Sequence, residues 1–179
     1  MRVGVLGLQG AFIEHIEKFN ELGIDSIIVR NNIDFDYINY LIIPGGESTV
    51  ILKLLKKHNL IKRLKKFIHQ EKKIVMGVCA GLIVLANPEI NGLNIEIERN
   101  YYGSHNESFI DDNKFQNKLI KGMFIRAPKI KELKSDDILV ISKNTNNEIT
   151  GIKQNNVIGF SFHPELSNDF EIYNYFISL

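Results

Sequence analysis

A three-layer α/β fold, with one open, mostly parallel sheet flanked by helices, is what this chain predicts, and three features carry the prediction. Short apolar runs of strand length alternate with longer amphipathic segments of helical period. The runs are apolar almost without interruption, as at residues 40–43 and 74–78, which suits strands buried on both faces. Glycine-containing turns (Gln9-Gly10, Gly45-Gly46 and the stretch from Gly77 to Gly81) follow those runs directly, at the strand ends where open α/β sheets place their ligands. With 179 residues and 44% hydrophobic content, there is material for one substantial core and too little for two, so residues 1–179 are expected to form a single domain.

The elements follow in order. Residues 2–8 read as the first strand. Gln9-Gly10 then turns the chain into a helix over residues 11–22, with Phe12, Ile16, Phe19 and Leu22 on one face and Gly23 as its C-cap signal. Strands are predicted over residues 25–30 and 40–43. Pro44-Gly45-Gly46-Glu47-Ser48 breaks the pattern, and Ser48 with Thr49 opens a helical region that reaches residue 71. Lys53, Lys56, Lys57, Lys62, Lys65 and Lys66 read there as a solvated face, because Ile51, Leu54, Leu55, Leu60, Ile61, Leu64, Phe67 and Ile68 supply an inward stripe. A strand over residues 74–78 and the apolar start of a helix over 82–86 come next. After Pro88 the chain turns β-like, with segments over residues 93–98, 123–127, 138–142, 149–153 and 157–162, while residues 103–121 read as a long, irregular connection. A final helix over residues 165–178 turns Phe170, Tyr173 and Phe176 toward the core.

Composition removes several classes of function. A formal net charge of +1 leaves no electrostatic footprint for nucleic acid and no strong attraction to a membrane surface. No apolar run approaches spanning length, and the apolar part of the N-terminus is too short for a signal peptide. One cysteine allows no internal disulfide and fits a reducing, cytoplasmic compartment. In that setting the Asn106-Glu107-Ser108 sequon carries no weight.

The chemistry gathers in the stretch IVMGVCAGLIVL, where the one cysteine stands between two glycines at a predicted strand-to-helix junction. Gly77, Cys79 and Gly81 form Gly-x-Cys-x-Gly, the thiol counterpart of the Gly-x-Ser-x-Gly nucleophile elbow. A sharp turn there lifts the nucleophile above the sheet, and the glycines remove Cβ atoms that would clash. The Ala80 N–H would face the same space as the sulfur and donate to an oxyanion, and the helix N-terminus would favour a thiolate. Without a partner base, Cys79 would read as a small buried hydrophobe.

A base is offered by Ser161-Phe162-His163-Pro164-Glu165. Residues two apart in extended chain share a side, so His163 and Glu165 can converge, and Pro164 stiffens the segment. The functional reading has His163 take the thiol proton while Glu165 holds the imidazole in its correct tautomer. The plain reading makes His163 a strand end and Glu165 a first-turn acid. A zinc site on Cys79, His163 and Glu165 lacks the second cysteine or closely spaced ligand pair such sites use. His15, His58, His69 and His105 sit in polar or helical contexts and read as surface residues.

Gly77-Val78-Cys79-Ala80-Gly81, His163-Pro164-Glu165 and Pro44-Gly45-Gly46-Glu47-Ser48 together resemble the triad-type, class I glutamine amidotransferases. More narrowly, Gly7-Leu8-Gln9-Gly10, Glu98-Arg99-Asn100, Glu107-Ser108-Phe109, Phe124-Ile125-Arg126-Ala127-Pro128 and Ser161-Phe162-His163-Pro164-Glu165-Leu166 resemble the glutaminase subunits of pyridoxal 5'-phosphate synthase. The motifs fall in order along essentially the whole chain. Tandem amidotransferases of purine or histidine synthesis share the elbow and the His-x-Glu pair, but are not expected to combine Arg99 with Ile125-Arg126-Ala127-Pro128.

The resemblance implies a flavodoxin-like scaffold with its nucleophile at Cys79, its base at His163 and its orienting carboxylate at Glu165. It places glutamine binding at Gly46, Glu47, Ser48, Arg99, Ile125 and Arg126, the oxyanion hole at the backbone N–H groups of Gly46 and Ala80, and a partner-facing segment at Gln9 and Gly10. Substrate chemistry agrees, since an amino acid's α-carboxylate wants guanidinium or N–H donors and its α-ammonium wants acceptors. The implied reaction is hydrolysis of L-glutamine to L-glutamate and ammonia through a thioester on Cys79, with no metal or organic cofactor. Ammonia is then expected to pass to a synthase (lyase) subunit that makes pyridoxal 5'-phosphate, a dodecameric ring carrying one glutaminase per synthase subunit. Free glutaminase is expected to be poorly active, because the partner helps set the oxyanion loop. Val78 stands where the family more often has Thr, a change that suits a side chain in the core, and Ser104-His105 stands where a basic and amide pair is common. The alternatives are an amidotransferase subunit serving another synthase and a non-catalytic regulatory protein on the same scaffold, for which a broken triad would be the signature.

Overall fold

The computed structural model describes residues 1–103 and 108–179. Along the chain come β1 (Val3–Leu6), α1 (Phe12–Glu21), β2 (Ser26–Val29), a 3-10 turn at Ile33–Tyr37, β3 (Tyr40–Ile43), α2 (Ser48–Lys57), and α3 (Ile61–Lys65), which runs into a π-helical turn at Lys66–Gln70. Then follow β4 (Ile74–Val78), α4 (Ala80–Ala86), β5 (Ile95–Glu98), β6 (Phe109–Phe115), β7 (Lys118–Phe124), β8 (Lys129–Leu133), β9 (Ile138–Asn144), β10 (Ile149–Gln154), β11 (Val157–Phe160), a 3-10 turn at Pro164–Leu166 and α5 (Glu171–Ser178).

The main sheet has nine strands in the order β2-β1-β3-β4-β11-β10-β9-β6-β7. From β2 to β11 every neighbouring pair is parallel, and this half carries the buried apolar runs; all four residues of β1 and of β11 are buried. From β11 outward the pairs are antiparallel, ending on β7 as an edge. A separate two-stranded sheet joins β5 and β8.

Alternation along the central strands builds two cores. Leu41, Ile43 and Val75 pack on one face with Leu55, Leu64, Phe67 and Leu85, so α2, α3 and α4 cover that side. Ile42, Met76, Val78 and Phe160 pack on the other with Phe19, Tyr173 and Phe176, so α1 and α5 cover it. Each such large side chain contributes about 1.5–3 kcal/mol when fully buried. Val78 is buried in this second core, as suits an apolar side chain there. The six lysines of the α2–α3 region are all exposed, opposite the buried stripe.

Several boundaries differ from the sequence expectation. The helical region after Ser48 is broken at Asn59, whose φ of 56° and whose neighbours' bonds, Leu60 N–H to the Leu55 carbonyl and Asn59 N–H to the Lys56 carbonyl, form a Schellman stop. The connection read as irregular contains β6 and most of β7, a hairpin paired from Phe109↔Phe124 to Phe115↔Lys118. Charged residues at 111, 112 and 114 hid its alternation. The strand expected over residues 123–127 ends at Phe124, and β8 follows unannounced. The last helix is split, because Pro164–Leu166 turns as 3-10 and Phe170 is the half-buried N-cap of α5 rather than a core residue. Ser104, His105 and Glu107 lie outside the described residues.

The chemistry depends on how closely α4 sits on β3 and β4. A Cβ on Gly81 would overlap the Ile43 backbone carbonyl, and one on Gly77 would lie 2.7 Å from the Gly81 carbonyl carbon. Gly81→Ala in an ordinary helix would stabilise by about 1 kcal/mol. Here it is expected to destabilise by about 1–3 kcal/mol, seen as a lower urea midpoint. A midpoint unchanged or raised would show that β3 yields to the methyl group.

Candidate active site

Cys79 is the hinge between β4 and α4, at φ 50° and ψ −102°. A non-glycine residue held there stores about 1–3 kcal/mol of strain, and the neighbours over-determine it. Its N–H donates to the Phe160 carbonyl at 2.8 Å, and its own carbonyl accepts from Ile83 N–H at 3.3 Å. The side chain is buried, with Sγ 3.8 Å from the Ile125 carbonyl oxygen and close enough to the His163 ring to favour its charged form.

His163 lies three residues beyond Phe160, the last paired residue of β11, and is pinned from the other side, where its N–H donates to the Met123 carbonyl at 2.8 Å. Its Nδ1 lies 2.6 Å from Glu165 Oε1. A carboxylate can only accept, so Nδ1 carries the proton and Nε2 is left for the sulfur. Burial works against a charged imidazolium, yet the hydrogen bonds to Cys79 and Glu165 outweigh it and push His163 up to about 10. Burial likewise works against a charged Glu165, but the neighbouring His15 and the bond from His163 prevail and hold its carboxyl below the usual range. Gly45 lies flat against this imidazole, and a Cβ there would overlap the ring.

These residues face a cavity of about 430 Å³. Its wall includes Gly46, Glu47 and Ser48 from the turn after β3, Ala80 after the elbow, Arg99, Ile125 and Arg126, and Gln9 from the turn after β1, while Gly10 stands behind it. Arg99 Nη2 pairs with Glu47 Oε1 at 3.0 Å, both about half exposed at the mouth. Arg126 sits at φ 47° just after β7. Gln9 Oε1 accepts the Glu47 N–H at 2.8 Å, Ala11 N–H donates to the Gly45 carbonyl at 2.9 Å, and Gly10, at φ 103°, fits beneath that carbonyl only because it lacks a Cβ. A larger and more open groove of about 910 Å³, between the β6–β7 hairpin and residues 166–171, is lined by neither cysteine nor histidine.

His15 was expected at the surface and is instead fully buried on α1, directly behind Glu165. The signal was available, since residues 12, 15, 16 and 19 share one helical face and His15 therefore lies inside the apolar stripe. His58 and His69 are exposed as expected. Asn100, from the Glu98-Arg99-Asn100 motif, also lines the cavity, as does Glu14, which no sequence signal marks. Among the described residues no group of three or more His, Cys, Asp or Glu could hold a metal, and no helix is long and apolar enough to cross a membrane.

The SNO glutamine amidotransferase family matches residues 5–179. The chain belongs to that family. A curated relative, the pyridoxal 5'-phosphate synthase subunit PdxT of Francisella tularensis subsp. tularensis, is 42% identical over 180 aligned residues, covering 99% of this chain and 98% of its own. A crystal structure of a glutamine amidotransferase superposes with a TM-score of 0.89 at 34% identity, covering 98% of this chain and 97% of the other. The structure of PurLQS from Thermotoga maritima shares the fold at a TM-score of 0.72 and 18% identity, over 92% of this chain and 87% of that one. For this SNO-family chain, Glu165→Gln removes the charge that helps hold His163 high, so imidazolium is lost at lower pH. The alkaline edge of glutamine hydrolysis is expected to move toward neutrality, with kcat down about 10²–10⁴-fold. An unmoved edge would show that Glu165 does not govern His163.

Proposed function

We propose that this chain hydrolyses L-glutamine to L-glutamate and ammonia through a γ-glutamyl thioester on Cys79, as the glutaminase subunit of a pyridoxal 5'-phosphate synthase. Ammonia passes to the synthase subunit for vitamin B6 synthesis. The observation that carries the reading is the convergence of Cys79, His163 and Glu165 on one cavity whose mouth holds Glu47, Arg99 and Arg126. Likeness to the curated PdxT along the full chain supports the choice of synthase.

Glutamine enters with its carboxamide toward Cys79. The Arg99 and Arg126 guanidinium groups suit its α-carboxylate, while the Glu47 carboxylate and the Ile125 carbonyl suit its α-ammonium. Ser48 and Gly46 complete the wall. Nε2 of the His163 imidazolium holds the proton that the sulfur gives up, and sulfur attacks the carboxamide carbon. The charge that develops on oxygen meets the N–H groups of Ala80 and Gly46. His163, held as imidazolium by Glu165, returns the proton to the departing nitrogen as the C–N bond breaks and ammonia leaves. Water then attacks the thioester carbon and gives a proton to His163. The C–S bond breaks, glutamate departs, and the sulfur is freed beside the His163 imidazolium.

Gln9 and Gly10 serve as a partner-facing segment in this reading, which the bonds from residues 9–11 to the turn at residues 45–47 support. Pressure on them moves the Gly46 N–H, which accounts for a free chain of low activity. The dodecameric ring with one glutaminase per synthase subunit is part of the same proposal and rests on the family resemblance. A reactive thiol as the chain's one cysteine suits a cytoplasmic, reducing location.

Cys79→Ala is expected to abolish ammonia release by the mixed complex while still co-eluting with the synthase subunit on size exclusion. Retained hydrolysis in that variant would overturn the thioester. Arg126→Ala is expected to raise KM for glutamine about 10–100-fold with a smaller change in kcat, as loss of a charge-assisted contact to the substrate should. A KM left unchanged would remove Arg126 from the binding site.

A further inference from the structure

Glu165 gives one oxygen to His163 and turns the other inward. That second oxygen, Oε2, lies 3.7 Å from His15 Nε2, with both side chains fully buried. Neither atom has a hydrogen-bond partner among the described residues. The gap exceeds a hydrogen bond by only about 0.7 Å and is too narrow for a water molecule to stand between them. The far side of the His15 ring is fixed, with Nδ1 2.8 Å from the hydroxyl of Tyr173, a fully buried residue of α5.

Proton accounting sets the direction of this chain. Burial, reinforced by the Glu165 charge, raises Tyr173 well above its ordinary value, so its O–H stays intact and donates to Nδ1. Burial lowers His15 despite the Glu165 carboxylate, so the ring is neutral and carries one proton. With Nδ1 accepting, that proton sits on Nε2 and points at the orphaned Oε2. The titratable groups around His15 are Glu165 and His163 on the segment after β11, Tyr173 on α5 and Glu14 beside it on α1.

We propose that His15 is a positioning residue of the glutaminase site, holding the oxygen of Glu165 that His163 leaves free, in a tautomer set by the Tyr173 hydroxyl. The proposal rests on the glutaminase reading of the triad. Its effect is on alignment: with Oε2 facing the His15 N–H, rotation of the carboxylate is opposed, and Oε1 stays opposite His163 Nδ1. His15 lines no part of the glutamine cavity, so the consequence falls on turnover rather than on substrate affinity.

The test compares His15→Leu, which cannot donate, with His15→Gln, whose amide N–H reaches the same side of the pocket. Each variant is assayed for ammonia release with the synthase subunit present, and the His163 titration in the full chain is followed by NMR of ¹⁵N-histidine-labelled protein. His15→Leu is expected to lower kcat about 10–100-fold with KM within about twofold, and to move the His163 midpoint to lower pH. His15→Gln is expected to recover most of both. Tyr173→Phe keeps the ring and loses only the hydroxyl, so it is expected to shift both readings partway in the same direction; it carries the comparison should His15→Leu not fold. Equal losses in the Leu and Gln variants with an unmoved His163 titration would assign His15 to packing and overturn the proposal. So would a kcat for His15→Leu within about twofold of the original. Failure of the unsubstituted complex to release ammonia would sink the glutaminase reading instead. The His163 titration would then decide the contact alone, a midpoint that falls in Leu and returns in Gln sustaining it and an unmoved one ending it.

Discussion

Val78 pairs with Phe160 in parallel register, and one residue further on the Cys79 N–H donates to the Phe160 carbonyl at 2.8 Å. That pairing of β4 with β11 sets where the sulfur stands relative to the imidazole, because His163 follows three residues after Phe160. A slip of one residue would send the β11 side chains to the opposite faces of the sheet and carry His163 with them. The register is held by burial on both sides, with Ile158 and Phe160 in one core and Val157 in the other. Core packing therefore positions the reacting atoms, and the strain at Cys79 persists because that packing leaves it no other place.

Close approach is the second constraint, and glycine supplies it at the places where backbone meets backbone or ring. Gly81 lets α4 rest on the Ile43 carbonyl, which aims the elbow. Gly45 lets the turn after β3 lie on the His163 ring, and Gly10 lets the turn after β1 lie under the Gly45 carbonyl. The three turns are thus stacked against one another at the carboxyl ends of the parallel strands. A displacement of the outermost, at Gln9 and Gly10, passes to the oxyanion loop through the Glu47 and Ala11 hydrogen bonds.

Electrostatics organises the interior of the site. A carboxylate with no exposed surface would be costly alone, and Glu165 is made tolerable by the hydrogen bond to His163 on one oxygen, with His15 Nε2 3.7 Å from the other. The same arrangement keeps His163 charged at neutral pH against the effect of its burial. The line from Cys79 through His163 and Glu165 to His15 and Tyr173 crosses from the cavity into the core shared by α1 and α5, so chemistry and packing draw on the same side chains.

What the sequence by itself determined was local. Continuous apolar runs marked the parallel strands, Gly-x-Cys-x-Gly marked the elbow, and the spacing of His163 and Glu165 put an acid beside a base, because periods of 2 and 3.6 and the steric needs of glycine act between near neighbours. Tertiary structure decided the rest. The β6–β7 hairpin was hidden by charges that a half-exposed sheet extension tolerates, and it is this hairpin that carries Ile125 and Arg126 to the cavity and ties His163 down through Met123. The burial of His15 was decided by Tyr173, 158 residues away, and by a turn at Pro164–Leu166 that local rules read as the start of one long helix. A side chain's partner is fixed by which distant elements pack against it, and no pattern of near neighbours contains that information.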